Sequence, residues 1–151
     1  MVSKPKIVVI AGLARELRFL KNVHNVKTFQ GYSKNALIAA RTALSENPDV
    51  IISFGLAGSM NPQVKNGKII IPQNIVDKFG NIKKVSKKYS NFFNKRISGK
   101  VFRQNLITVD KIEHNLNNKK YLKKNISFID MESSYIQKEA GKKKIPFIAI
   151  R

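Results

Sequence analysis

The 151-residue chain has no cysteine, only two histidines, and nine acidic residues against 29 lysines and arginines. The missing cysteine excludes disulfides and thiolate metal ligands, and with no export-type leader it fits a cytoplasmic setting. His24 and His114 are far apart in sequence and have no carboxylates at ligand spacing, so no metal site is expected. No apolar run reaches the roughly 18 residues that a membrane-spanning helix requires. The first such run, KIVVIA at 6–11, is short and meets Gly12, Arg15 and Glu16 at once, with no small-residue cleavage site. That is the pattern of an opening strand, not of a signal peptide. The length suits one hydrophobic core, so residues 1–151 read as a single domain of a soluble protein.

What is abundant is positive charge, +20 formally. Taken alone, such an excess points to a nucleic acid or an anionic membrane surface. The chain is also crowded with Lys, Asn and Ile, whose codons are AT-rich, so a solvated basic surface reflecting genome bias competes with that reading. The densest patch is KKVSKKYSNFFNKR at 83–96, where Tyr89, Phe92 and Phe93 interleave with cations at helical spacing. A basic amphipathic helix of this kind can lie peripherally on an anionic membrane. A core-facing aromatic stripe with lysines in water is the commoner arrangement, and no motif for specific nucleic-acid binding is present.

Strand-length apolar runs alternate with segments of helical period, the signature of an α/β fold with a mostly parallel sheet between helices. Strands are expected at 6–11, 49–55, from Lys68 to Pro72, at 101–109, at 127–129 and in the last segment PFIAIR. Helices are expected after Gly12, from a Ser33 cap through Ala36, Leu37, Ala40 and Leu44, in part of 111–124, and at 132–144. The stretch at 26–32 has no clear pattern.

In open α/β sheets ligands bind beyond the carboxyl ends of the strands. Three turns that fall there carry unusual residues. AGLARE sets Glu16 one turn into a helix, able to reach back over the sheet edge; a helix-dipole role for it is equally natural. SFGLAGSMNP contains Gly55, Ala57 and Gly58, where exposed backbone permits a close ligand, although neither a P-loop nor a dinucleotide fingerprint is present. IDMESS runs from a strand into a helix through Met131 and Glu132, a carboxylate suited to sugar hydroxyls beside a soft apolar surface.

In their order and spacing these segments, residues 12–16, DVIISFGLAGSMNPQVKNGKIIIP and FIDMESSYIQKEAGKKKIPFIAIR, resemble the purine nucleoside phosphorylase and nucleosidase superfamily over nearly the whole chain. The wording GLARE, SFGLAG and DMES is most similar to its hopanoid-associated branch, which acts on an adenosylated hopanoid lipid. The resemblance implies a three-layer phosphorylase-type fold, a central mostly parallel mixed sheet flanked by helices, lacking its C-terminal segment. It implies cleavage of the N-glycosidic bond of an adenine nucleoside in a homo-oligomer. Glu132 would bind the ribose hydroxyls, Met131 would pack the sugar, Gly55, Ala57 and Gly58 would line the substrate, and Glu16 would position water as the catalytic residue.

Phosphorylases of the superfamily hold phosphate with an arginine in the first loop and an arginine and a serine around the glycine turn. Here Glu16, Ser53 and Leu56 occupy those places, which favours hydrolysis over phosphorolysis; Arg15 and Arg41 could supply another anion site. No cofactor is implied, with phosphate as the one conceivable co-substrate. Family members protonate the leaving base with an aspartate a few residues beyond the arginine of the last strand, a position that would fall past Arg151. The expectation is therefore a nucleosidase short of its acid, with two alternatives: a nucleoside-binding module without turnover, and a basic nucleic-acid-binding protein.

Overall fold

The computed structural model describes residues 4–112, 121 and 124–151. Its first sheet is wholly parallel, with β1 (Ile7–Ala11) at its centre between β2 (Val26–Gln30) and β3 (Val50–Phe54), and β11 (Phe147–Ile150) on the far side of β3. Val8, Ile10 and Ile51 are completely buried and Val50 nearly so. Strands covered on both faces read as continuous β-branched runs instead of alternating, and IVVIA and VIISF do. The 26–32 stretch without pattern supplies β2, whose edge position explains its half-buried VKTFQ composition.

A second, mixed sheet has the order β4 (Gly58–Ser59), β10 (Ile126–Asp130), β9 (Asn105–Thr108), β6 (Asn74–Val76) and β7 (Ile82–Lys84). β6, β9 and β10 run parallel, while β4 and β7 add antiparallel edges. The expected strand at 101–109 is split into β8 (Val101–Phe102), which pairs with β5 (Ile69–Ile70), and β9. Arg103 and Gln104 stand at the break. The hairpin β6–β7 was not legible, because its outer strand, Ile82–Lys84, is exposed along its length and carries no apolar face.

Four α-helices are described: α1 (Ala14–Leu17), continued by a 3-10 turn over Arg18–Leu20, α2 (Asn35–Leu44), α3 (Lys87–Asn94) and α4 (Ser133–Lys142). α2 packs against α4 and against β1 and β2. Its buried face is Ala36, Ala39, Ala40 and Ala43, all small, so the helix sits close to the sheet, while Leu37 and Leu44 are only partly covered. The expected Ser33 cap is displaced by one residue. Lys34 is the N-cap and Ser33 adopts φ +52°, because its N–H is turned away to donate to Glu132. The helix expected within 111–124 lies largely outside the described residues. In α3, Tyr89 and Phe93 pack on the core, whereas Phe92 is 45% exposed beneath the Arg96 guanidinium.

Candidate functional site

The carboxyl ends of β1, β3 and β10 converge on a cavity of about 330 Å3 that holds Gly12, Glu16, Tyr32, Ala57, Gly58, Met131 and Glu132 in its walls, with Leu13, Leu56 and Ile112 among the apolar remainder. Two of the chain's few glutamates thus face one space, although 116 positions apart in sequence.

Glu16 reaches it from the third position of α1. Its Oε2 accepts the Leu13 N–H at 2.9 Å, the backward half of a capping interaction. Its Oε1 accepts the Leu56 N–H at 3.0 Å, across from the loop after β3. The carboxylate therefore ties two strand ends together, and each oxygen retains a second lone pair. Gly55 makes this possible: it has φ +141°, and a Cβ there would fall 2.6 Å from Glu16 Oε1. Gly55 sits behind the glutamate and is absent from the cavity wall, whereas Ala57 and Gly58 form part of it.

Glu132 is the N-cap of α4 and is 9% exposed. Its Oε1 accepts the Ser33 N–H at 3.1 Å and lies against Gly12, where an added Cβ would be 2.9 Å away. Burial pushes its carboxyl above the usual 4.5, and the charge of Asp130 adds to that; the Ser33 N–H and the Arg151 guanidinium oppose it. Met131 presents its sulfur to the Tyr32 hydroxyl, which donates at 3.5 Å, so a half-exposed tyrosine lies along the same wall.

At the floor of the cavity, which Asp130 also lines, is a buried network that the sequence reading missed. Arg151 Nη2 donates to Asp130 Oδ2 at 2.6 Å, to Ser53 Oγ at 2.7 Å and to Ser133 Oγ at 2.9 Å, and both members of the ion pair have side chains 1% exposed. Asp130 Oδ1 also accepts from Thr108 Oγ1 at 2.7 Å. Four strands and the start of α4 are thereby locked around the residue that precedes Met131. The spacing of Asp130 and Ser133, a capping pattern at a strand–helix junction, was the available signal.

Asp130 and Asp110, the carboxylates nearest the end of β10 and β9, are both engaged. Asp130 is held by the network above. Asp110 bonds Lys78 at 2.7 Å, lies 3.7 Å from Lys34 and accepts from the Tyr135 hydroxyl. The Lys78 ammonium, and then the Tyr135 hydroxyl, hold Asp110 below the usual carboxylate range. Burial, followed by the Asp110 charge, pushes Tyr135 up to about 12. Arg41 is spoken for by Glu139 at 3.2 Å, and the exposed Arg15 is not in the cavity wall, so neither completes an anion site there. Among the described residues no three His, Asp or Glu side chains gather as metal ligands, and no helix is long and apolar enough to cross a membrane.

The family model of the phosphorylase superfamily matches residues 20–106, and the chain belongs to that superfamily. The matched span includes the SFGLAG turn, while Glu16, Met131 and Glu132 lie outside it. No curated protein sequence matches the chain. Solved structures share the fold at low identity. The 5'-methylthioadenosine/S-adenosylhomocysteine nucleosidase of Neisseria meningitidis, in complex with methylthio-immucillin-A, is 16% identical with a TM-score of 0.82, over 98% of this chain and 84% of that one. The S. pneumoniae enzyme with a transition-state inhibitor has 16% identity and a TM-score of 0.80, over 96% and 83%. A futalosine hydrolase mutant of Helicobacter pylori has 13% and 0.81, over 98% and 88%. At these identities the likeness establishes the three-layer α/β fold.

Proposed function

We propose that the cavity at the ends of β1, β3 and β10 binds an adenine nucleoside and serves hydrolysis of its N-glycosidic bond. The observation that carries this reading is the meeting of Glu16 and Glu132 in one cavity, in a chain with 29 cationic and only nine acidic residues. Departure of the base leaves an oxocarbenium-like ribosyl cation, so a site must orient the sugar, deliver a nucleophile and tolerate positive charge. Glu132, fixed by the Ser33 N–H, accepts the ribose hydroxyls, and Met131 packs the sugar face. Glu16, pinned by two backbone N–H groups, uses its remaining lone pairs to hold water. Its place in the first turn after β1, with Leu56 and Ser53 around the glycine turn and Ser53 taken up by Arg151, favours water over phosphate as nucleophile.

Titration with adenosine, with adenine release followed in parallel, tests this. Glu132→Ala removes a charge-assisted acceptor, and affinity should fall about 10-fold to 100-fold. Glu16→Gln should reduce adenine release while leaving affinity within about twofold, since a positioned water contributes to the barrier more than to ground-state binding. Equal affinity in the wild type and Glu132→Ala would remove the ribose role.

A second reading, a nucleoside-binding module without turnover, is favoured by the engagement of Asp130 and Asp110, which leaves neither free to protonate the base. Tight binding with no adenine released would select it. The finer assignment to an adenosylated hopanoid draws support from the apolar rim of the cavity, where Leu56 is 75%, Tyr32 52% and Ile112 45% exposed. Such a rim suits a nucleoside with an apolar 5' substituent, and substrates graded by the length of that group would measure it.

A further inference from the structure

At the opposite, amino-terminal end of the parallel strands lies a second cavity of about 490 Å3, bounded by Asn74 at the start of β6, Lys84 of β7, Lys87 and Ser90 of α3, and Arg103 just before β9. We propose that it is a binding site for a phosphate group, free or carried as a phosphomonoester. The proposal is independent of the nucleoside reading and shares no wall residue with the first cavity.

Three cationic side chains, Lys84, Lys87 and Arg103, enter one concave space with no carboxylate in its wall. Among the described residues none of the three has an acidic partner within ion-pair distance, as holds for most cations of so basic a chain; what sets these three apart is that they line one cavity. Of the three, Arg103 is held most firmly. Its backbone carbonyl accepts the Gln73 N–H at 3.0 Å. Its Nη2 donates at 2.9 Å to the hydroxyl of Ser90, which is completely buried.

The same guanidinium has its Nε shielded from solvent with no hydrogen-bond partner among the described residues. An arginine stays charged at all physiological pH values, and a shielded donor without an acceptor is costly, so the arrangement is incomplete by itself. A tetrahedral dianion in the cavity supplies acceptor oxygens for the guanidinium and for two lysines, and charge that offsets three converging cations. A neutral or cationic ligand supplies neither. The basic patch at 83–96 thereby divides into Tyr89 and Phe93, which pack on the core, and Lys84 and Lys87, which face this cavity.

Binding of inorganic phosphate, of AMP and of adenosine should be measured by calorimetry at fixed ionic strength in chloride, for the wild type, Arg103→Gln, the double variant Lys84→Gln/Lys87→Gln, and Lys65→Gln/Lys68→Gln as a control that removes two charges at exposed lysines outside the cavity. Phosphate or AMP should bind the wild type. Each cavity variant should weaken that binding by about 10-fold or more, as expected for lost charge-assisted bonds, with Lys65→Gln/Lys68→Gln within about twofold. Whichever of phosphate and AMP loses more affinity identifies the free or the esterified form as the ligand. If Arg103→Gln fails to fold, the double variant, which changes only exposed side chains, carries the test alone. Equal weakening by Lys65→Gln/Lys68→Gln would show only the diffuse field of a +20 chain and overturn the proposal. Undiminished binding in both cavity variants would overturn it too, by locating the anion elsewhere, the first cavity included. No phosphate or AMP binding by the wild type would do the same. Adenosine affinity reports on the first cavity and should be unchanged in all four proteins.

Discussion

Glu132 and the Nε of Arg103 are both shielded from water, beside cavities at opposite ends of the second sheet, yet the two residues are held in different ways. Glu132 sits at the rim of a closed network in which Asp130, Arg151, Ser53, Ser133 and Thr108 satisfy one another, and its own carboxylate takes the Ser33 N–H. Arg103 has one bond to Ser90 and one donor without an acceptor. The first cavity is thus pre-organised by charges paired within the chain, and changes beneath it should register as lost stability. The second consists of like charges at the surface, where changes should register mainly as lost binding.

The sharpest break of that contrast is Arg151→Met. Removing one partner of a buried ion pair leaves Asp130 uncompensated, and urea unfolding should show a loss of about 3–5 kcal/mol. Lys84→Gln/Lys87→Gln should stay within about 0.5 kcal/mol of the wild type in the same measurement. A small effect at Arg151 would mean that the network is not what holds the first cavity.

Gly55→Ala comes next. The residue combines φ +141° with a carboxylate oxygen 2.6 Å from the position of a new Cβ. Strain of this kind costs on the order of 1–3 kcal/mol, and displacement of Glu16 should lower adenine release more than it lowers stability. A variant with unchanged turnover would show that Glu16 is not needed where it stands.

The smallest expected effect concerns Glu132 and pH. Because burial, reinforced by Asp130, raises its pKa in the folded chain, the fold favours the protonated form. The stability this contributes is full below the ordinary value of 4.5 and is lost as pH rises through the raised one. Glu132→Gln should therefore match the wild type in acid and become the more stable of the two across that window. Nucleoside affinity of the wild type should move oppositely, weakening as pH falls through a midpoint above 4.5. A flat difference between the two proteins would show that the carboxyl is not shifted.

The central strands were readable because KIVVIA and DVIISFG are buried on both faces and need no alternation to announce themselves. The position of Met131 and Glu132 at a strand end was readable as well, since a glutamate just after such a strand is conspicuous in so basic a chain; their roles there rest on the proposal. The exposed β7 and the edge strand β2 left no pattern because little of either enters the core. Ser33 misled as a cap: its N–H is claimed by Glu132, a residue 99 positions away, and local propensity carries no record of such a partner. The Arg151 network was invisible for the same reason, because four of its side chains are ordinary polar residues until the strands that bear them are set side by side.

The bond between Ser53 and Arg151 joins residues 98 positions apart, and β3 meets β11 only once that whole interval has been made. During synthesis at about 5–20 residues per second, the open edge of β3 waits roughly 5–20 s for its neighbour. Throughout that interval a strand of almost unbroken Ile and Val presents unpaired backbone groups, the kind of edge that recruits other chains. The parallel order that brings two distant glutamates together thus gives the nascent protein a period of exposure to misassociation, which folding chaperones would have to cover.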